Sequence, residues 1–328
     1  MSGIPASTPS AALDLPTFED VRRAAERIAG GVHRTPVFTS ATLDRGVGAS
    51  CHFKCENLQK AGAFKSRGAL NTVLSLSEDE AARGVLTHSS GNHGAALARA
   101  ARLRGIPAWV VMPETAPRVK REAVAGYGAE IVLCAPTQEA RETTAARVIE
   151  ETGATLVHPF DDPRVIAGQG TVALELLEDL PDLDLLLVPV GGGGLAAGSA
   201  LAASGAAPSC RVVAVEPSGA DDAYRSFRSG RREPLGEVNT IADGLRMRVG
   251  ELIFPLLQRH LHDVVTVDDD AIVRSMRWIW ERMKLVVEPS GAVPLAAVQE
   301  GRVEVEGKKV GLILSGGNVD LDRLPWSG

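Results

Sequence analysis

From residue 85 to residue 314, short apolar runs alternate with longer stretches of mixed polarity. The short runs cover 85–88, 108–112, 131–133, 155–157, 185–190, 212–216, 264–267 and 310–314. They are rich in Val, Ile and Leu and predict buried strands. The stretches between them predict helices over about 92–104, 117–126, 137–151, 164–179, 194–203, 219–229, 269–284 and 291–299. A further helix is predicted near the N-terminus. Thr17 can cap it, Phe18, Val21, Ala25 and Ile28 line one face, and Gly30 ends it. This βαβα rhythm predicts an α/β protein with parallel-rich twisted sheets flanked by helices.

Two stretches depart from the rhythm. Residues 230–239, "GRREPLGEVN", are polar and predict an exposed loop. Residues 185–210 carry no charge and imitate a membrane span. Pro189 and four glycines interrupt that run, so a strand, a turn and a packed helix are expected instead.

The chain has 328 residues, 45% of them hydrophobic, and a net charge of −6. No basic run or basic-aromatic interleaving is present, which argues against nucleic acid as a partner. None of Cys51, Cys55, Cys134 and Cys210 forms a C-x-x-C pair. Cys51, Phe53 and Cys55 alternate along a strand-like stretch and are expected on one buried face. Reduced core thiols fit a cytoplasmic protein. The N-terminal residues "MSGIPASTPSAALDLP" have neither the basic nor the apolar region of a signal peptide, and are expected to form a disordered tail. The chain stops soon after the last predicted strand, at "LDRLPWSG", so no C-terminal regulatory domain is expected.

Three glycine-rich turns follow strand-like runs. In "THSSGNHGAALARAA", Ser89, Ser90, Gly91, Asn92, His93 and Gly94 open a helix. They read either as an anion-binding loop or as a Ser/Asn helix cap. In "LLLVPVGGGGLAAGSALAA", Gly191, Gly192, Gly193 and Gly194 open another helix. Four glycines cost conformational entropy and make sense where backbone must approach a guest such as phosphate. A structural turn, or a dinucleotide site using Glu216 about twenty residues on, are the alternatives. In "LILSGGNVD", Ser315 ends a strand before a generic turn.

Lys65 lies in "AGAFKSRGALN". A lysine that attacks a carbonyl must lose its proton against a normal pKa of about 10.4. Burial favours the neutral amine, and a neighbouring cation would too; Arg67 is close in sequence. The bland reading is a surface lysine at the start of a helix. A Schiff-base lysine, a phosphate cup and an anion cup together describe a pyridoxal phosphate (PLP) site. A nicotinamide-dependent oxidoreductase needs no such lysine.

"AFKSRGALN", "SSGNHG", "PVGGGGL", "VEPSGADD", "IADG", "ERMKLVVEPSGAV" and "LSGGNVD" occur in this order. Together they resemble the fold type II PLP enzymes, the serine/threonine dehydratase and serine racemase family, over nearly the whole chain. The resemblance implies a two-domain fold like that of the tryptophan synthase β subunit. Residues 1–83 and 162–328 would form the large domain, and 84–161 a small, inserted, mobile one.

It further implies that Lys65 bonds the cofactor and acts as base on one face of the substrate. Phe64 would pack beside the pyridine ring, Asn92 would meet its phenolic oxygen, and Gly191, Gly192, Gly193 and Gly194 would hold its phosphate. Ser315 would face the ring nitrogen, while Gly244 and Glu288 would lie near the cofactor. Ser89, Ser90, Asn92 and His93 would grip the substrate carboxylate. Ser90 would stand opposite Lys65, where it either serves racemisation or only binds carboxylate. Glu216, the Ala220 carbonyl and Asp222 would hold Mg²⁺ (or Mn²⁺ or Ca²⁺), as hard oxygen ligands suit; the alternative is a solvated acidic turn. Lys284 reads as structural and His158 as a packing or capping residue.

The implied activity is β-elimination from small β-hydroxy-amino acids such as L-serine and L-threonine, giving a 2-keto acid and ammonia, with serine racemisation beside it. The alternative is a 3-hydroxyaspartate dehydratase, which Arg246 and Arg248 keep open. A homodimer is implied by family analogy.

Overall fold

The computed structural model describes residues 14–326 apart from Ser90 and Pro117. The expected N-terminal tail and Ser90 therefore lie outside the described residues. Ten strands are present among the described residues: β1 Val37–Thr39, β2 Ser50–Cys55, β3 Val85–Thr87, β4 Ala108–Pro113, β5 Glu130–Cys134, β6 Thr155–Leu156, β7 Leu185–Pro189, β8 Arg211–Pro217, β9 Asp263–Val267 and β10 Lys309–Leu314. The α-helices are α1 Phe18–Ile28, α2 Ala41–Val47, α3 Lys65–Ser75, α4 Glu78–Arg83, α5 Asn92–Arg104, α6 Arg118–Gly126, α7 Gln138–Thr152, α8 Pro163–Asp179, α9 Gly194–Ala206, α10 Asp222–Ser229, α11 Ile253–His260, α12 Asp269–Trp278 and α13 Pro289–Gln299.

The strands form two sheets. One has the order β1-β2-β10-β7-β8-β9, the other β5-β4-β3-β6. Every described pairing is parallel except β1 with β2. A parallel sheet covered on both faces must be apolar on both, which explains the continuous Val/Leu runs. The period of two is visible in the packing. Leu186 and Val188 enter the core under α8 and α9, while Leu185 and Leu187 enter the one under α12 and α13. In the smaller sheet Val110 and Met112 face α3 and α5, and Val111 faces α7.

Cys51, Phe53 and Cys55 share one buried face, and all four cysteines are buried and free. Residues 185–210 form β7, a glycine turn, α9, which is buried from Gly194 to Ala203, and the link to β8. No described helix is long and apolar enough to cross a membrane. Residues 230–239 form an irregular, mostly exposed loop.

The periodicity misses β1, α2, α3, α4 and α11. α2, α4 and α11 are only 6 to 8 residues long, too short for a clear repeat, and α3 is buried along most of its length and so lacks a polar–apolar stripe. The helix expected over 269–284 changes character: α12 stops at Trp278 and a π-turn runs to Met283. Lys284 ends it in the left-handed region at φ 62°, a structural role.

Candidate active site

The site forms where parallel strands end, the usual place for ligands in open α/β sheets. β7 runs into the four glycines, β10 into Ser315 and β3 into the His88–Ser89 loop. Lys65 is the first residue of α3, so the bland reading is right about position. Its side chain, though, reaches inward. α3 crosses α8 with no room to spare: a Cβ on Gly168 would lie 2.6 Å from the Gly68 Cα. That close crossing sets Lys65 against the segment preceding α8, where its amine donates to the Pro159 carbonyl at 2.8 Å. The amine also stands 5.0 Å from the centre of the Phe64 ring. Phe64 is tied to the end of β10 by its N–H, which donates to the Ser315 carbonyl at 3.0 Å.

Burial lowers the Lys65 pKa to about 8, and Glu288 pulls it back upward. The expected help from Arg67 is absent. Arg67 points the other way, fully buried, and donates to Glu56 at 2.7 and 2.8 Å and to Glu175 at 2.7 and 2.9 Å. Lys54 completes this neutral cluster through Glu175 at 2.6 Å. Residues two apart at a helix start face different directions, so Arg67 braces the core behind the lysine.

Three of the four glycines are required by their neighbours. A Cβ on Gly191 would strike the Leu245 backbone at 2.7 Å, one on Gly192 the Phe160 ring at 2.6 Å, and one on Gly193 the Ile253 side chain at 2.5 Å. Gly193 also has φ +94°. No side chain caps α9, so its first-turn N–H groups remain free to hold an anion. Leu245 belongs to the 243–245 turn, where the Gly244 N–H donates to Ser290 at 3.1 Å.

Asn92 opens α5. Its amide donates to both Glu288 oxygens, at 2.9 and 3.2 Å, and its carbonyl accepts from Asn318 at 2.9 Å. Glu288 is buried, and burial, followed by the charge of Asp243, lifts its pKa to about 7. Ser89 hydrogen-bonds its own loop at the Gly91 N–H. The His93 imidazole turns away from that loop: it is buried, with Nε2 3.3 Å from the Val157 carbonyl and Nδ1 without a partner. Its backbone N–H still lies in the first turn of α5.

Glu216 is buried at the end of β8 and accepts from the Ala223 and Tyr224 N–H groups at 3.0 and 2.8 Å. Asp222 is also buried. One of its oxygens accepts from the Val249 N–H at 2.9 Å, and the other, Oδ1, has no partner. Burial raises both carboxyls, Glu216 well above its usual range; the charge of Asp222 raises Glu216 further, while Arg225 and Arg248 pull Asp222 back down. Ala220 is buried between them in the chain. An orphaned carboxylate oxygen facing a second buried carboxylate fits a hard cation. Among the described residues no set of three His, Cys, Asp or Glu side chains could hold a metal, so a site built on Glu216 and Asp222 would draw its other ligands from water or from backbone carbonyls such as that of Ala220.

Arg246 and Arg248, singled out for an acidic substrate, are committed elsewhere. Arg246 binds the Thr240 carbonyl, and Arg248 those of Glu233 and Arg232 at 2.9 and 3.0 Å. Sequence reasoning missed Arg141, at the start of α7. Its Nε is buried without a partner, and its charge acts on His88 beside the Ser89 loop. It also missed Asn318 and the Pro159–Phe160 segment, which sit in polar strings with no periodic signal.

Known proteins resemble this chain in sequence and fold. The sequence model of the family described as "Pyridoxal-phosphate dependent enzyme" matches residues 28–316. A β-hydroxyaspartate dehydratase from Paracoccus denitrificans (strain Pd 1222) is 49% identical over 313 residues, 95% of this chain and 99% of that protein. A serine racemase from Oryza sativa subsp. indica is 51% identical over 312 residues, 94% of this chain and 92% of that one. The solved structure of maize serine racemase aligns with a TM-score of 0.91 at 49% identity, covering 94% of this chain and 95% of that chain. The lysine, the glycine cup and the matched length agree: this chain belongs to the pyridoxal-phosphate dependent enzymes.

Proposed function

We propose that the protein catalyses β-elimination from L-serine- and L-threonine-type amino acids, releasing a 2-keto acid and ammonia, with serine racemisation as a second activity. The observation that carries this is the placing of the Lys65 amine 2.8 Å from the Pro159 carbonyl, next to the Phe160 ring that packs on the glycine turn, where burial lowers its pKa to about 8. When bound, pyridoxal phosphate supplies the reactive carbonyl and the electron sink that side chains lack. Lys65 would hold its carbonyl carbon, the N–H groups of Gly191, Gly192, Gly193 and Gly194 its phosphate, and Asn92 its phenolic oxygen. Phe64 and Gly244 would lie beside it, with Glu288 behind Asn92.

Lys65, once neutral, is the base that moves the Cα proton. The first turn of α5, through Ser89, Asn92 and the His93 N–H, binds the substrate carboxylate. Ser315 presents a hydroxyl to the ring nitrogen and does not enforce its protonation, which favours prompt loss of a β-leaving group. Ser90 is the acid or base of the opposite face. Glu216, Asp222 and the Ala220 carbonyl hold Mg²⁺, Mn²⁺ or Ca²⁺ and order the loop before α10.

Residues 84–161 act as the smaller, mobile domain. Asn92–Glu288, Asn318–Asn92 and the Lys120–Asp243 pair at 2.9 Å reach across from it to the rest of the chain. Buried free cysteines support a cytoplasmic setting. Exposed Leu58 and Val286, neighbours through the 3.0 Å Asn57–Val286 hydrogen bond, support a homodimer.

A second reading, 3-hydroxyaspartate dehydratase, is favoured by Arg141. An unpartnered guanidinium Nε near the carboxylate loop is a ready site for a second carboxylate. The deciding experiment measures ammonia and keto acid from L-serine, L-threonine and the 3-hydroxyaspartate isomers with Mg²⁺ and PLP, then the chirality of the remaining amino acid. Serine or threonine turnover supports the first reading, and D-serine with it assigns Ser90 its second role. Turnover confined to hydroxyaspartate moves the protein to the second reading, and no ammonia from any of them rejects both.

A further inference from the structure

The segment His158–Pro159–Phe160–Asp161 links β6 to α8 and runs past Lys65 and the glycine turn. The His158 Nδ1 accepts the Asp161 N–H at 2.8 Å and the Phe160 N–H at 3.4 Å, folding the segment into a turn around its own imidazole. The same ring packs edge-on against Phe160 with centroids 4.5 Å apart. Phe160 covers Gly192, and Asp161 accepts the Glu251 and Leu252 N–H groups at 2.8 and 3.0 Å ahead of α11. Between these contacts the Pro159 carbonyl faces Lys65, whose amine donates to it at 2.8 Å.

We propose that the Pro159 carbonyl is the resting place of the Lys65 amine whenever that amine is not bonded to cofactor, and that His158 is the positioning residue that holds this carbonyl in place. The inference rests on the reading of Lys65 as the cofactor lysine. A carbonyl accepts more strongly from an ammonium than from a neutral amine, so it retains a proton on Lys65 that burial alone would drive off. The released lysine is thus kept aimed at the cleft and ready to give a proton back. The other titratable groups facing it are Glu288, which favours the ammonium, and His93 and His158, which oppose it when charged. Burial takes the His158 pKa down to about 4, so at neutral pH its Nδ1 stays free to accept.

The test strips the full-length protein of cofactor with hydroxylamine and follows the return of visible absorbance when pyridoxal phosphate is added, across pH. Only neutral Lys65 reacts, so the rate reports the lysine pKa. Wild type, His158→Asn and His158→Leu are compared, with far-UV circular dichroism as the check on folding. His158→Leu loses the acceptor, and its midpoint should fall by about one unit. His158→Asn can still accept a backbone N–H two residues on and should stay near wild type. If His158→Leu is unfolded, His158→Ala takes its place. Equal midpoints in all three proteins, or equal shifts in both variants, would overturn the proposal. No absorbance in wild type would instead overturn the assignment of Lys65 itself.

Discussion

The Asn92 side-chain amide donates to both oxygens of a buried carboxylate, Glu288, at 2.9 and 3.2 Å. Glu288 caps no hydrogen bond of α13 with its side chain, although it stands at that helix's N-terminus. Its side chain turns instead to Asn92, the residue we propose meets the cofactor's phenolic oxygen.

This placement makes stability depend on pH. Burial raises the Glu288 pKa to about 7, above its unfolded value. Between those values the native state keeps a proton that the unfolded chain has lost, so stability falls as pH rises toward 7. Glu288→Gln lacks the charge. Its stability relative to wild type should improve between pH 5 and pH 8, on the order of 2 kcal/mol. Urea unfolding at both pH values measures this, and a difference independent of pH would contradict it.

Lys65→Ala should abolish the visible absorbance of bound cofactor and all turnover while leaving the far-UV spectrum unchanged. α3 begins at this residue, but its buried contacts are made by Arg67, Leu70 and Val73. Absorbance surviving in the variant would move the cofactor to another amine.

Arg67 is the most costly charge to disturb. It is fully buried between Glu56 and Glu175. Arg67→Met leaves those carboxylates with Lys54 alone and should lower stability by about 3–5 kcal/mol. Adding Glu56→Gln to Arg67→Met should recover part of that loss. If the single variant unfolds at the same urea concentration as wild type, the cluster contributes nothing.

The Glu216–Asp222 loop should be stabilised by a divalent cation. After exhaustive chelation, adding millimolar Mg²⁺ or Ca²⁺ should raise the melting temperature by several degrees, as binding to the folded state alone requires. Asp222→Asn should blunt that response and make activity insensitive to chelator. Identical melting curves with and without metal would leave the orphaned Asp222 oxygen unexplained.

Arg141 separates the two substrate readings. If it pairs with a second carboxylate, Arg141→Met should reduce kcat/KM on 3-hydroxyaspartate by about a hundredfold. Serine turnover should change less than about threefold. Equal losses on both substrates would make Arg141 structural.

The ordered strings from "AFKSRGALN" to "LSGGNVD" carried the family, because such chemistry needs those residue types beside tight turns. Runs of Val and Leu carried most of the strands, because parallel sheets bury both faces. The sequence therefore determined the α/β class, the lysine and the glycine cup. Only the tertiary structure decided how the charges are spent. Arg67, two positions from Lys65, turns into a buried ion cluster and leaves burial to lower the lysine pKa. Arg246 and Arg248 bind backbone carbonyls, while Arg141 keeps an unpartnered nitrogen. Pro159 meets Lys65 from 94 residues away. Local sequence sets which groups are available; through-space packing, which no local pattern encodes, sets which of them find partners and which are left for chemistry.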